Sequence, residues 1–372
     1  MDFDFAEVLL QVMERNASDL HLTAGSPPMI RHHGRLHPLD YPHLTPQLTR
    51  EVIYSILTND QRQRLETDWQ IDLAYSIPGK ARFRVNAYFQ RGTIGAAFRL
   101  IPAETVPIDT LGLPLVVREF ARKPRGIVLV TGPTGSGKST TLASIINEIN
   151  ETRDEHIMTI EDPIEFLHRH KRCIVNQREI GPDAVSFAEA LRGALRQDPD
   201  VILLGEMRDL ETISTAITAA ETGHLVFATL HTQDAPSTID RLIDVFPAAQ
   251  QEQIRVQLAA TIQGIVTQTL LPTVDGKGRV AALEILLPDD AVRNLIRQAK
   301  VEQIYSVMQT NTSRGMQTLE QALVDLVTRG IITQEIAMSR SSRPDQLLGL
   351  LKRNGIATPE AGEAPGLRVA GS

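Results

Sequence analysis

The chain has 372 residues, which is long enough for two hydrophobic cores because single cores rarely grow beyond about 250–300 residues. Its 42% hydrophobic and 22% charged residues are close to globular averages, and they exclude a fibrous or disordered protein. The net charge of −7, from 38 basic and 45 acidic side chains, argues against a nucleic-acid-binding groove, which needs concentrated Lys and Arg.

The first third of the sequence has the pattern of an α+β domain. Apolar residues at helical spacing predict helices, and alternating apolar and polar residues predict strands. The predicted elements are a helix over 3–15, a strand over 18–22, a hairpin turning at His33-Gly34, one helix over 45–66 and an antiparallel meander over 69–100.

No segment predicts export or membrane insertion. The sequence lacks a run of about 18 uninterrupted apolar residues, and residues 1–16 are acidic where a signal peptide would be basic. The chain has a single cysteine, Cys173, so it cannot form an internal disulfide, and this fits a reducing compartment. We therefore expect a cytoplasmic protein.

The predicted meander carries a concentration of arginines, namely Arg82, Arg84, Arg91 and Arg99. One interpretation is a polar face exposed to solvent. The other is a source of positive charge for a nucleotide γ-phosphate, a role that arginines of a flanking domain or subunit commonly take. The residues alone leave both interpretations open.

Proline and glycine cluster between Ile101 and Gly126, which predicts an inter-domain linker with a short helix around 114–121. The end of the chain is rich in small residues and proline, so we expect disorder there. The predicted divisions are a first domain over 1–112, a linker over 113–125, a second domain over 126–345 and a disordered tail over 346–372.

Residues 126–141 combine a buried strand, a glycine-rich turn and a helix start, which together predict a phosphate-binding loop. The turn satisfies G-x-x-x-x-G-K-[ST], in which backbone N–H groups surround phosphate oxygens at a helix N-terminus. Lys138 would reach the β- and γ-phosphates, and Ser139 would place its hydroxyl on Mg²⁺, so ATP and Mg²⁺ are the predicted ligands. The predicted nucleotide-binding residues are Gly132, Pro133, Thr134, Gly135, Ser136, Gly137, Lys138, Ser139 and Thr140.

Strand and helix signals alternate after this loop, which predicts a mostly parallel sheet wrapped by helices. The predicted strands are 156–162, 201–206, 225–231 and 280–287, and the predicted helices are 186–196, 210–223, 236–246 and 249–271. Further helical stretches complete this α/β fold.

Acidic residues end two of the predicted strands, where catalysis of phosphoryl transfer needs carboxylates for Mg²⁺ and for water. The segment VILLGE ends in Gly205-Glu206, whereas a usual Walker-B strand ends in Asp. Glu206 therefore serves the metal shell, through water, or acts as the base, and both roles stay open. The segment TIEDPIEF adds Glu161, Asp162 and Glu165, one of which should activate water.

Two histidines flank the predicted strand 225–231. His231 ends that strand, and an imidazole at this position can sense the γ-phosphate; His224 precedes it. Ordinary hydrogen-bonded histidines are the alternative for both.

Taken together, these segments closely resemble the PilT family of type IV pilus retraction ATPases, within the secretion ATPase superfamily. The resemblance runs from about residue 5 to 340. The TIEDPIEF segment is similar to the family's Asp box, residues 201–206 to its atypical Walker B and residues 223–232 to its His box. The resembling segments are NASDLHL, ARFRVNAY, VLVTGPTGSGKSTTLA, TIEDPIEF, NQREIG, ALRGALRQDPDVILLGEMRDLETI, AAETGHLVFATLHT and AVRNLIRQ.

The resemblance implies a PAS-like N-terminal domain joined to a RecA-like P-loop ATPase domain, assembled as a homohexamer. It implies an ATPase that drives pilus retraction by acting on an inner-membrane platform protein, and indirectly on pilin, at the inner face of the membrane. Arg84 and Arg99 match the family's arginines that close on the phosphates. Glu161, Glu165, Glu206 and His231 would complete the catalytic set, with Ser139 and Glu206 on the metal.

The segment AVRNLIRQ, 291–298, resembles the family's motif tied to retraction, with Val292 and Gln298 departing from it. Extension ATPases of the superfamily carry a four-cysteine zinc element and a long extra N-terminal domain, and this sequence has neither. The alternatives are an accessory retraction ATPase of the PilU type, a RecA-like DNA translocase, which the acidic balance and 4% aromatic residues argue against, and a nucleotide-binding switch.

Overall fold

The computed structural model describes residues 3–77, 80–102 and 105–356. They form two compact units, each with its own sheet and core. The N-terminal unit contains the described residues up to Thr105 together with Pro163–Arg169 and Glu179–Asp183; the C-terminal unit contains Val106–Asp162, His170–Arg178 and the described residues from Ala184 onward.

The N-terminal unit is built on an antiparallel sheet whose six strands follow the order β3-β2-β1-β6-β5-β4. Its core lies on one face of the sheet, where alternate residues such as Phe83 and Phe98 are buried together with Val8 of the first helix. The elements are α1 Phe5–Glu14, β1 Asp19–Leu22, β2 Met29–His32, β3 Arg35–Pro38, α2 Pro46–Ser55, α3 Asn59–Asp68, β4 Gln70–Ile77, β5 Ala81–Gln90 and β6 Thr93–Ile101.

The single helix predicted over 45–66 is wrong, because two helices occupy this stretch. Thr58 begins α3 with a capping box, in which its hydroxyl accepts from the Gln61 N–H while the Gln61 side chain accepts from the Thr58 N–H. These reciprocal bonds satisfy backbone groups that a new helix start leaves open, so they favour a break over a continuous helix.

The C-terminal unit is a seven-stranded sheet in the order β13-β12-β7-β11-β10-β8-β9. The strands β12, β7, β11, β10 and β8 run parallel, and β13 pairs antiparallel with β12. The elements are α4 Leu115–Glu119, β7 Gly126–Thr131, α5 Lys138–Thr152, β8 His156–Glu161, β9 Ile174–Glu179, α6 Phe187–Ala194, β10 Val201–Leu204, α7 Leu210–Glu221, β11 Leu225–Leu230, α8 Ala235–Asp244, α9 Ala248–Thr261, β12 Ile262–Pro272, β13 Arg279–Leu286, α10 Asp290–Arg297, α11 Ile304–Thr310, α12 Leu319–Thr328, α13 Gln334–Arg340 and α14 Pro344–Arg353.

An N-terminal sheet unit followed by a parallel-sheet unit confirms the predicted α/β fold class, whereas the PAS-like description of the first unit stays a prediction. No helix in the described part of the chain is long and apolar enough to cross a membrane.

The segment 113–125 is not an exposed linker, and the first unit ends before it. Val117 and Phe120 are fully buried in the core of the C-terminal unit. A Cβ atom added at Gly264 would lie 2.3 Å from the Phe120 ring, so this ring packs directly on the backbone of β12. The proline and glycine content predicted a linker, but burial of these apolar side chains outweighs it.

The predicted disordered tail over 346–372 is wrong for its first part. Residues 344–353 form α14, in which Leu347 and Leu351 are buried against α12. Leucines at i and i+4 lie on one helix face and bury enough apolar surface to order the segment. The remainder of the predicted tail, 357–372, lies outside the described residues.

The helix predicted over 249–271 is also wrong, since α9 ends at Thr261 and the chain continues directly as β12. This strand pairs with β7, which carries the phosphate-binding loop at its end. No proline or loop separates helix from strand, so only the β-branched residues between Ile262 and Thr269 could have indicated the change.

Candidate functional site

The predicted phosphate-binding loop follows a completely buried strand, β7, and leads into the fifteen-residue helix α5. Gly137 precedes the helix with φ of 90°, and Gly132 begins the loop with φ of 132°, conformations that favour glycine. The loop therefore places its N–H groups at a helix N-terminus, where anions bind.

Lys138 is the cation of this loop and is only 9% exposed. Its Nζ donates to the carbonyl oxygens of Gly132 at 2.7 Å and Pro133 at 3.0 Å, so the ammonium is held over the loop itself. The buried hydroxyl of Ser136 has no hydrogen-bond partner among the described residues. A cation, an unsatisfied hydroxyl and a helix N-terminus together fit bound phosphate groups.

Four parallel strands end at one edge of the sheet, next to this loop. The register pairs Leu204 with Ile160 and with Ala228, and it pairs Thr131 with Leu230. The residues that follow β8, β10 and β11 therefore emerge beside the loop that follows β7, as is general for ligand sites of parallel sheets.

Glu206 is the centre of the polar contacts at this edge. Its Oε1 accepts from Arg208 Nε at 2.5 Å and lies 3.1 Å from His231 Nε2. His231 is the predicted γ-phosphate sensor, and its side chain is 46% exposed. The structure thus brings together Glu206 and His231, which the sequence placed at the ends of two separate strands.

The carboxyl of Glu206 is held in its charged form. Burial raises its pKa, but hydrogen bonding and charge from Arg208, with smaller contributions from His231 and Lys138, bring the pKa below its usual value. A carboxylate with a depressed pKa is a weak proton acceptor and a good partner for a cation.

The glycine at the usual Walker-B aspartate position lies in crowded surroundings. A Cβ atom at Gly205 would lie 3.1 Å from Glu161 Cα and 3.3 Å from the Ile160 carbonyl oxygen. The Gly205 N–H donates to that same oxygen at 2.8 Å. A side chain at 205 would thus crowd the backbone of β8, and the acidic side chain at this strand end is that of the next residue, Glu206.

Glu161 ends β8 and is 8% exposed. Its Oε1 accepts from the Thr159 hydroxyl at 2.6 Å and from Gln177 Nε2 at 3.2 Å. These bonds compensate for the burial of a carboxylate and fix its position at the sheet edge.

Glu165, the other predicted acidic residue, belongs to the N-terminal unit and is exposed. Its neighbour Ile164 donates its N–H to Glu179 Oε2 at 3.2 Å, and Arg82 Nη2 lies 3.1 Å from the same oxygen. Glu179 is 5% exposed. This ion pair fastens the Asp-box segment to β5 and gives Arg82 a structural role.

Arg84 and Arg99 also belong to the N-terminal unit, where they lie directly opposite each other on β5 and β6. Both are exposed. Arg99 Nε donates to Asp19 Oδ1 at 2.9 Å, and Asp19 is 7% exposed. Like charges in a directly opposed pair repel each other, so this pair favours an anion as a further partner.

Sequence reasoning missed three polar residues that support the site. Gln268 contacts the phosphate-binding loop from β12, Arg208 binds Glu206, and Glu284 is buried on β13. A glutamine between the β-branched residues of β12 was the signal for Gln268. Nothing local distinguished the other two from surface charges.

Glu284 of β13 binds the start of the helix that follows the loop after His231. Its Oε1 accepts from the Ala235 N–H, at the start of α8, at 2.7 Å. Burial, with the charges of Asp234 and Glu320, raises its pKa to about 7. Native Glu284 therefore keeps a proton that an unfolded glutamate has already released between pH 4.5 and 7.

We expect Glu284→Gln to gain stability relative to the parent chain as pH rises from 5 to about 8. A carboxyl whose pKa is higher in the folded than in the unfolded protein stabilises the fold at low pH. This stabilisation is lost as pH rises from the unfolded-state pKa to the folded-state pKa, whereas the glutamine amide does not titrate and loses nothing. The difference between the two pKa values corresponds to a change of up to about 3 kcal/mol in the free energy of unfolding. Urea unfolding at both pH values measures the change, with exposed Glu252→Gln as control; a pH-independent difference would contradict the assignment.

Arg293, within the segment that resembles the retraction motif, caps α9. Its Nη1 donates to the Ala259 carbonyl, and its Nη2 donates to the Ile262 carbonyl at 2.9 Å. We expect Arg293→Ala to destabilise the protein by about 1–3 kcal/mol, because buried carbonyls lose charged donors. Thermal unfolding measures this, and exposed Arg297→Ala on the same helix is the matched control. Equal melting of both variants would contradict the cap.

A family model described as type II/IV secretion system protein matches residues 4–339. A Pseudomonas aeruginosa protein named type IV pilus retractation ATPase PilT is 51% identical over 342 residues, covering 92% of this chain and 99% of that protein. The type IV pilus ATPase PilU of the same organism is 41% identical over 349 residues, covering 94% of this chain and 91% of that protein.

A crystal structure of the pilus retraction motor PilT with bound ADP has the same fold as this chain. The TM-score is 0.87 at 51% identity, over 94% of this chain and all of that one. The similarity therefore spans both units and is not restricted to the phosphate-binding loop.

Proposed function

The chain belongs to the type II/IV secretion system protein family, and from that membership we propose that it is an ATP-hydrolysing motor that retracts type IV pili. The family resemblance read from its motifs is confirmed. The observation that carries the proposal is 51% identity over nearly the whole length of a pilus retraction ATPase. Identity to the PilU relative is 41%, so an accessory role is the second candidate.

Binding of ATP is the task of the loop between β7 and α5. We propose that its N–H groups and Lys138 hold the β- and γ-phosphates, since the ammonium already lies over the loop. Ser139, in the first turn of α5, and Glu206 would hold Mg²⁺, which when bound offsets the charge of the phosphates.

The geometry favours one of the two roles that the sequence left open for Glu206. Its pKa is depressed and its Oε1 is paired with Arg208 and His231, so we assign it to the metal shell and to orienting water. Glu161 and Glu165 remain as candidates for the proton acceptor. His231, through its contact with Glu206, would report the presence of the γ-phosphate.

Arg84 and Arg99 would supply positive charge as the phosphoryl group transfers. We expect Arg84→Ala and Arg99→Ala to slow hydrolysis by roughly a hundred-fold or more while changing ATP affinity much less, because charge shifts in the transition state. Steady-state turnover and nucleotide titration measure the two quantities, with exposed Arg35→Ala as control. Equal losses in both would indicate simple substrate binding.

The assembly and partners extend this proposal. We propose a homohexamer that acts on an inner-membrane platform protein at the pilus base, and through it on pilin, at the cytoplasmic face of the membrane. Light scattering with and without nucleotide tests the hexamer. A monomer with full ATPase activity would contradict it.

Deletion of the gene and counting of surface pili tests the cellular role. We expect excess pili and loss of twitching, restored by the parent chain and not by Lys138→Ala. Expression in a host that lacks its other retraction ATPases separates a principal motor, which restores twitching alone, from an accessory one. ATP turnover that rises on addition of DNA would instead favour a translocase.

A further inference from the structure

Gln268 lies beneath the phosphate-binding loop and contacts it from a different strand. The residue is 3% exposed on β12. Its Nε2 donates to the Ser136 carbonyl oxygen at 2.8 Å, and its Oε1 accepts from the Thr141 hydroxyl at 2.8 Å. One carboxamide thus joins the loop to the first turn of α5.

Two loop glycines are packed directly against the same residue. A Cβ atom at Gly132 would lie 2.3 Å from the Gln268 carbonyl oxygen, and one at Gly137 would lie 2.7 Å from its Nε2. The loop therefore has no side chain at the two points where it rests on Gln268. Positive φ favours glycine at both positions, and at Gly132 the close approach of the β12 backbone leaves no room for a side chain.

The two hydrogen bonds require a side chain that both donates and accepts. The Ser136 carbonyl can only accept, so the NH₂ group must face it, and the Thr141 hydroxyl then donates to the oxygen. A carboxylate has no donor for Ser136, and an apolar side chain leaves both buried groups unpaired. Among unbranched side chains of this length, Gln alone offers both a donor and an acceptor at its end.

The bond to Ser136 also orients the peptide that forms the loop. In a trans peptide the carbonyl and the following N–H point in opposite directions. With the Ser136 carbonyl anchored on Gln268, the Gly137 N–H points away from that side chain. This is the group that immediately precedes Lys138 and the helix start.

We propose that Gln268 is a positioning residue for nucleotide binding, which holds the loop in the conformation that presents its N–H groups to the phosphates. The inference rests on the proposed function in that the ligand is ATP or ADP. It assigns to β12 the task of supporting the nucleotide site, in addition to completing the sheet.

The test compares Gln268→Met with Thr269→Val, a change on the opposite face of the same strand. Methionine keeps the length and volume and removes both hydrogen bonds. We expect about ten-fold weaker binding of ADP and of a non-hydrolysable ATP analogue for Gln268→Met, as two paired groups are lost. Gln268→Glu should bind more weakly still, and the control should bind as the parent does.

Thermal unfolding without nucleotide separates positioning from a merely structural role. A lower melting temperature with unchanged nucleotide Kd would overturn the proposal. If Gln268→Met fails to fold, Thr141→Val decides, because it removes one of the two bonds and should weaken binding several-fold. When both variants fold, their double mutant should lose less affinity than the sum of the single losses.

Failure of this inference differs from failure of the nucleotide site. If Lys138→Ala binds nucleotide as tightly as the parent chain does, the assignment of the nucleotide site itself is overturned. Loss of binding in Lys138→Ala together with parent-like binding in Gln268→Met and Thr141→Val would overturn only the role of Gln268.

Discussion

Replacement of Lys138 by alanine should abolish ATP hydrolysis while leaving the fold intact. The ammonium is the cation built into the phosphate-binding loop, and loss of a preorganised charge at a transferring phosphoryl group typically lowers turnover by at least about a hundred-fold. The fold should persist, because Lys138 lies at the junction of loop and helix, and its loss removes polar contacts to the loop without opening the apolar core of the unit.

Phosphate release assays and circular dichroism measure the two parts of this prediction. Lys300→Ala is the matched control, because Lys300 is exposed and lies outside the loop. If Lys138→Ala hydrolyses ATP at the parent rate, the assignment of the nucleotide site is wrong. If the variant is unfolded, Lys138 is chiefly structural.

Glu206→Gln should keep nucleotide binding and lose most hydrolysis. The amide preserves the shape of the side chain and its acceptor oxygen for Arg208, and it removes the negative charge that the site stabilises. Because that charge would hold Mg²⁺ and orient water, we expect turnover to fall by roughly a hundred- to a thousand-fold.

Nucleotide titration beside single-turnover hydrolysis checks this prediction. Glu211→Gln is the control, because Glu211 is an exposed glutamate that also pairs with an arginine, Arg192. A Glu206→Gln variant that no longer binds ATP would show that the residue builds the site and takes no part in the reaction.

Local patterns predicted the parts of the site that come from consecutive residues. The loop, its Lys138 and the strand end at Glu206 were identified because strand, turn and helix signals follow one another within a few residues. Parallel strands bring their carboxyl ends to one edge, so the proximity of Glu206 and His231 was also predictable.

Patterns failed where long-range packing outweighed local preference. The strand β12 follows α9 without a breaker, and pairing with β7 decides its conformation. The prolines and glycines around Phe120 predict a linker, yet the Phe120 ring packs on the backbone of Gly264 in the core. Leu347 and Leu351 order a helix within the predicted disordered tail, because α12 offers an apolar surface.

The sequence by itself therefore determined the family, the α/β class, the nucleotide loop and the acidic and histidine residues at the strand ends, since each depends on residues close together in the chain. Only the tertiary structure decided which distant side chains support them. Gln268 meets Ser136 and Thr141 across separations of 132 and 127 residues. Such contacts follow from strand order and register, which are set by burial of the whole sheet and leave no periodic signal at the individual residue.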